Sequence, residues 1–153
     1  MQERAVETSE KASFKFWFET FEVFELCLEE IFSPSAASVV LQLASNKCGR
    51  HTCRQILKEI KTRKNVLTYL SYIKNEMNWG KILFQNISVE KGCGEILVYN
   101  SFEAISRRGT KPVCHFMRGY LAGFLSELFE REIKVEEDQC AAMGHNCCKF
   151  SFR

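Results

Sequence analysis

The sequence predicts an α+β domain: N-terminal helices packed on an antiparallel sheet of two hairpins, with a helix between the hairpins. Three observations carry this. The first half of the chain repeats its apolar residues at helical spacing. From Lys81 onward, short runs of β-forming residues are joined by turn residues. Between the two pairs of runs lies one more helical stretch, beginning near Val113. Adjacent strands joined by turns pair antiparallel, which sets the class.

Residues 1–13 are polar and read as a flexible tail, leaving 14–153 as a single domain. From Phe14, the residues Trp17, Phe18, Phe21, Phe24, Leu28, Ile31 and Phe32 form one helical stripe. Phe16, Val23 and Cys27 lie off it. A helix with that much apolar circumference has more than one partner to satisfy. The helix at 14–32 is therefore expected either to lie deep in the core or to make a homodimer contact as well. Ser33 is a candidate N-cap with Pro34 at the first helical position of the next helix, which runs toward Ile60. A third helix is expected over Val66 to Trp79.

Lys81 to Val89 and Glu95 to Phe102 read as strands around the turn Lys91-Gly92-Cys93-Gly94. Thr110-Lys111-Pro112 opens the last helix, in which Gly119 and Gly123 stand one turn apart. That spacing predicts close packing of this helix against the sheet. Glu132 to Cys140 and Cys147 to Phe152 then read as two strands around Met143-Gly144-His145-Asn146.

Composition narrows the function. Of 153 residues, 46% are hydrophobic and 26% charged, which excludes disorder. A net charge of +2 gives no global case for nucleic acid. Lys47 to Lys64 carries seven basic residues against the single acid Glu59, and a solvated helix face accounts for it better than a nucleic-acid patch. No apolar run approaches the roughly 20 residues of a membrane span. The polar first dozen residues lack the apolar core of a signal peptide, so a cytoplasmic setting is expected. Eight cysteines in such a chain favour metal binding or thiol chemistry over a disulfide framework.

The chemistry concentrates in the last third. Cys114 begins the last helix, where unpaired N–H groups and the helix dipole favour a thiolate. Cys140 and Cys148 flank a tight turn, and a hairpin can bring them onto neighbouring strands. With Glu137 they make three thiolates and a carboxylate, a set competent to hold Zn²⁺ tetrahedrally. Four protein ligands leave no open position, the mark of a structural site. Glu137 and Cys140 are separated by an odd count, so a bulge or turn must intervene for both to face one ion. The alternative is that the cysteines are small buried apolar residues and Glu137 lies on the surface. Cys48, His51 and Cys53 form a second candidate cluster, set against plain helix packing. Cys147 alternates away from Cys148 and is a candidate exposed thiol, with Cys93 a further one.

The run Pro112-Val113-Cys114-His115-Phe116-Met117-Arg118-Gly119-Tyr120-Leu121-Ala122-Gly123-Phe124, followed by Glu137-Asp138-Gln139-Cys140-Ala141-Ala142-Met143-Gly144 and Cys148-Lys149-Phe150, resembles the 4-vinyl reductase domain. The resemblance is sharp over residues 110–153 and looser back to about residue 14. It implies a small-molecule-binding module whose fold is shared with haem nitric-oxide-sensing domains and TRAPP subunits. It also implies a structural zinc on Cys114, Glu137, Cys140 and Cys148, the set that three cysteines and a glutamate form in phenol sensors of this family. The aromatic-ligand residues of those sensors do not map clearly onto this chain.

The expected function is a zinc-stapled sensor or regulatory module for a hydrophobic or aromatic small molecule, passing occupancy to a regulatory protein partner. Phe84, Leu97, Phe116, Tyr120 and Phe124 are the expected pocket lining. A TRAPP-like interaction scaffold and a thiol/zinc redox switch are the alternatives. No redox-cofactor motif is visible, which speaks against a vinyl reductase.

Overall fold

A computed structural model describes the backbone of residues 2–153 and the side chains of residues 17–153. Two compact units make up the chain, Met1–Ala37 and Ser38–Arg153. The first holds the helix α1 (Gln2–Phe32). Its backbone takes in residues 2–13, which sequence set apart as a tail; this stretch has no Pro or Gly and is rich in Ala, Glu, Lys and Arg, all good helix formers. On α1, Phe18, Phe21 and Leu28 are half-buried, whereas Trp17, Val23, Phe24, Leu26, Ile31 and Phe32 are exposed. The side chains of Phe14 and Phe16 lie outside the described residues. Ser33 caps the following helix as expected, its hydroxyl accepting from the Ala36 N–H at 3.5 Å.

The second unit holds the rest of α2 (Pro34–Glu59), then α3 (Arg63–Glu76), β1 (Lys81–Ser88), β2 (Cys93–Tyr99), α4 (His115–Phe129), β3 (Val135–Gln139) and β4 (Cys148–Phe152). The four strands form one antiparallel sheet in the order β1-β2-β4-β3. The class and the two hairpins are as the sequence predicts; the boundaries move by a few residues. Helix α4 starts at His115 and not at Thr110, with Cys114 as its N-cap; Pro112 accounts for the non-helical backbone of Lys111 alone.

One sheet face carries the core. Ile82 pairs with Val98 and Val98 with Cys148; Phe84 pairs with Ile96 and Ile96 with Phe150. Period-two alternation puts all of them on one side. Helix α3 packs on β1 and α4 on β3. Phe124, Phe150, Leu121 and Leu125 are fully buried in the shared core, each contributing roughly 1.5–3 kcal/mol of burial.

The glycines of α4 do not face the sheet. A Cβ on Gly123 would stand 2.0 Å from the Asn46 carbonyl oxygen, and one on Gly49 of α2 would stand 2.0 Å from the Tyr120 carbonyl oxygen. The contact is a helix–helix crossing in which α2 and α4 approach backbone to backbone, a geometry only small residues permit. The basic stretch of α2 reinforces the crossing. Arg54 forms a bidentate pair with Glu127 at 2.7 and 2.9 Å, and Arg50 pairs with Glu132. Arg63 reaches past the helix end to Glu130. Arg50, Arg54 and Arg63 thus each have an acidic partner.

Candidate metal centre

Local structure brings Cys114, Glu137, Cys140 and Cys148 together. Cys114 is the N-cap of α4. Glu137 pairs across β3–β4 with Phe150, which places it on the core face. The register then shifts between Glu137 and Gln139. That irregularity, with Cys140 capping a 3₁₀ turn at Ala141–Met143, supplies the break that an odd separation requires. Cys148 opens β4 from the other side of the turn.

One ligand atom from each of the four residues lies within 4.8 Å of the others. The Cys114 and Cys148 Sγ atoms are 3.5 Å apart, and Cys148 and Cys140 Sγ 4.0 Å. Thiolates on a tetrahedral ion with bonds of about 2.3 Å stand roughly 3.8 Å from each other, so the spacing fits. The three thiol positions are buried. The Ala141 N–H donates to Cys148 Sγ at 3.3 Å. The Cys114 N–H donates to Glu137 Oε2 at 3.1 Å, while Glu137 Oε1 is buried without a hydrogen-bond partner. An acceptor left in that state is costly unless a cation completes it.

Electrostatics point the same way. Burial, with the Cys140 thiol beside it, pushes the Glu137 carboxyl up to about 8. Hydrogen bonding to the neighbouring thiols, and then burial, push the Cys114 thiol well above its usual range. Three thiols and a carboxylate cannot all ionise in one buried space on their own, and a divalent cation removes that conflict. With four protein donors, a bound ion would tie α4 to the β3–β4 hairpin as a structural element.

A fifth residue, absent from the sequence-based set, organises the approach. Glu103, from the segment after β2, is 2% exposed. Its carboxylate accepts from the Phe116 N–H at 2.8 Å and the Met117 N–H at 2.7 Å. It therefore caps α4 from outside the helix, and no local pattern such as a capping box marks it in sequence.

The second candidate cluster disperses. Cys48 and His51 are exposed on α2, while Cys53 is buried in the core with its thiol pushed up to about 12 by burial. Among the described residues, the group around Cys114 is the one set of three or more such ligands that converges. Cys147 is buried, contrary to its reading as an exposed thiol. It precedes β4, so strand alternation does not extend to it.

The expected pocket lining is also divided. Phe84 lines a groove of about 430 Å³ between α3 and β1, together with Leu67, Ile82, Ile87 and Val89. Phe116 and Tyr120 join an aromatic cluster around Trp79, at 5.6 and 4.9 Å between ring centres. Phe124 is fully buried, stacked on Tyr120 at 6.4 Å. Leu97 is paired with Leu83 and Lys149, so it sits on the sheet face opposite Ile96 and Val98 and is not among the groove's lining residues.

The fold and site define an α+β domain with a buried thiol–carboxylate group at the start of its last helix. Residues 95–153 match the model of the V4R domain, which bears out the resemblance to the 4-vinyl reductase domain. An uncharacterized protein of Methanocaldococcus jannaschii is 37% identical over 43 residues, a match spanning 28% of this chain and 27% of that protein. Among solved structures, the phenol-responsive sensory domain of the transcription activator PoxR, solved with phenol, aligns with a TM-score of 0.74 and 18% identity, covering 88% of this chain and 73% of that one. A vinyl-4-reductase family protein from M. jannaschii aligns at 0.59 and 23%, covering 74% and 66%. A trafficking protein particle complex subunit 3 from Naegleria fowleri, covalently bound to palmitic acid, aligns at 0.72 and 11%, covering 94% and 95%. At these identities the likeness is one of fold. Among the described residues, no helix is long and apolar enough to cross a membrane.

Proposed function

We propose that this chain is a cytoplasmic, zinc-stapled sensor domain that binds a hydrophobic or aromatic small molecule and reports its occupancy to a partner protein. The observation that carries this is the buried group of Cys114, Glu137, Cys140 and Cys148 in a fold that aligns with a phenol-responsive sensory domain. Zinc suits the donor set, since three thiolates and one carboxylate match its preferred ligands and geometry. The ion's place is to fix the hairpin against α4; it supplies no reaction. The groove between α3 and β1 has the size and apolar lining of a small-molecule site.

A scaffold reading draws on a separate observation. The exposed apolar residues of α1, among them Trp17, Phe24 and Ile31, form a surface suited to a second copy of this chain. Native mass spectrometry of freshly purified protein tests both readings together. One zinc per chain and a small-molecule adduct support the sensor. A dimer that Val23→Asp with Ile31→Asp converts to a folded monomer supports the α1 contact. If a screen of phenols, small aromatics and fatty acids raises the melting temperature with none of them, the sensor reading falls.

A further inference from the structure

Lys74 lies at the inner end of α3 and is 4% exposed. Its Nζ stands 3.6 Å from the centre of the Trp79 ring and 4.5 Å from that of Tyr120. Its polar contact is the Met77 Sδ at 4.0 Å, and no oxygen of a described residue accepts from it. The Tyr120 hydroxyl beside it is also buried and makes no hydrogen bond within 3.5 Å; its polar neighbour is the Thr52 hydroxyl, which donates to the Cys48 carbonyl at 3.1 Å and keeps its lone pairs. Two donors thus end in an aromatic surround completed by Phe102 and Phe116. Cation–π contact offsets part of the cost of burying an ammonium, yet leaves its N–H groups unsatisfied.

The cage lies one helical turn beyond the groove, whose lining does not include Lys74, Trp79 or Tyr120. Leu67 and Ser71 of α3 line that groove, and Lys74 follows on the same helical stripe as Leu67, seven residues on. On the other wall, Ile82 lines the groove three residues after Trp79. The buried polar groups of the cage, one helical turn beyond Ser71, are donors. A neutral phenol offers such a cage another donor. A carboxylate offers two oxygens, accepts only, and carries the missing charge.

Resting on the proposal that the domain binds a hydrophobic small molecule, we infer that its ligand is a hydrophobic carboxylic acid whose carboxylate is received by Lys74 Nζ and the Tyr120 hydroxyl. The apolar body then lies along Leu67, Ile82 and Phe84.

Calorimetric titration of the full chain with a series of ω-phenyl and straight-chain carboxylic acids, each paired with the alcohol of the same length, tests this. Wild type should prefer acid over alcohol by at least about tenfold, the scale of a charge-assisted hydrogen bond. Lys74→Met should abolish that preference while retaining alcohol binding. Tyr120→Phe, a milder change, should reduce the preference severalfold. Equal affinity for acid and alcohol in wild type, or a preference that survives in both variants, overturns the role of Lys74 and leaves the ligand-binding function standing. Binding of neither series overturns both.

Discussion

Two buried polar sites flank helix α4, and they are opposite in kind. At its N-terminus, three thiols and a carboxylate crowd together with an acceptor to spare and no cation among them. Against its middle, Lys74 presents a buried ammonium to aromatic rings, and no carboxylate of a described residue accepts from it. The first site is built from residues that each prefer a metal to one another. The second is built from donors that meet no carboxylate among the described residues. Both are uncompensated in the protein alone, which makes each a place where something else completes the structure. One calls for an inorganic cation held for stability, the other for an organic anion held reversibly.

The largest effect that would break this contrast lies at the first site. Cys148 touches both other thiols and receives the Ala141 N–H. Cys148→Ser should lose stoichiometric zinc and cost on the order of 5 kcal/mol, because metal binding at such a site is folding free energy. Chelation of wild type should produce a comparable loss, and urea unfolding with metal analysis reads both. A Cys148→Ser protein with full zinc and unchanged stability would reduce the four residues to ordinary core.

A smaller effect separates the sites by pH. Burial holds the Lys74 amine down at about 8 against an ordinary value of 10.5. Between those values the unfolded chain binds more protons than the folded one, so stability contributed by this group rises with pH. Relative to Lys74→Met, wild type should therefore gain up to about 3 kcal/mol between pH 7 and pH 10.5. The comparison cancels the titration of Tyr120 and Cys53, which both proteins share. Urea midpoints for the two proteins that stay parallel across that range would show Lys74 to be solvated rather than caged.

Only one of the two sites could be seen in the sequence. Cys114, Glu137, Cys140 and Cys148 stand out because metal ligands are chemically rare and their spacing is set by a hairpin and a helix end, which turn residues and Pro112 announce. The bulge after Glu137 follows from counting alone. Lys74 gives no such signal: a lysine near the end of a helical pattern reads as solvent-facing, and only tertiary packing turns it inward over Trp79. Glu103 is hidden for the same reason, since it caps a helix more than ten residues away. Gly119 and Gly123 announce a close approach but not its partner. Their close approach to Gln42, Ser45 and Asn46 of α2 is a matter of how two helices cross, which periodicity does not encode. The face that Leu97 takes, opposite Ile96 and Val98, is fixed by its pairing with Leu83 and Lys149.

The smallest effect sharpens the boundary of the metal site. Glu103 and Glu137 are both carboxylates at the N-terminus of α4, yet they do different things. Glu103 uses both oxygens on the Phe116 and Met117 N–H groups, whereas Glu137 gives one oxygen to the Cys114 N–H and holds the other free. Glu103→Gln keeps one acceptor oxygen and points an NH₂ at the remaining N–H, so one cap bond is lost and the charge that complements the helix dipole goes with it. The expected cost is about 1–2 kcal/mol with zinc content unchanged. Should Glu103→Gln release zinc as readily as a cysteine substitution, Glu103 would belong to the ion's surroundings rather than to the helix, and the negative charge assembled there would be one carboxylate larger than the four converging ligands.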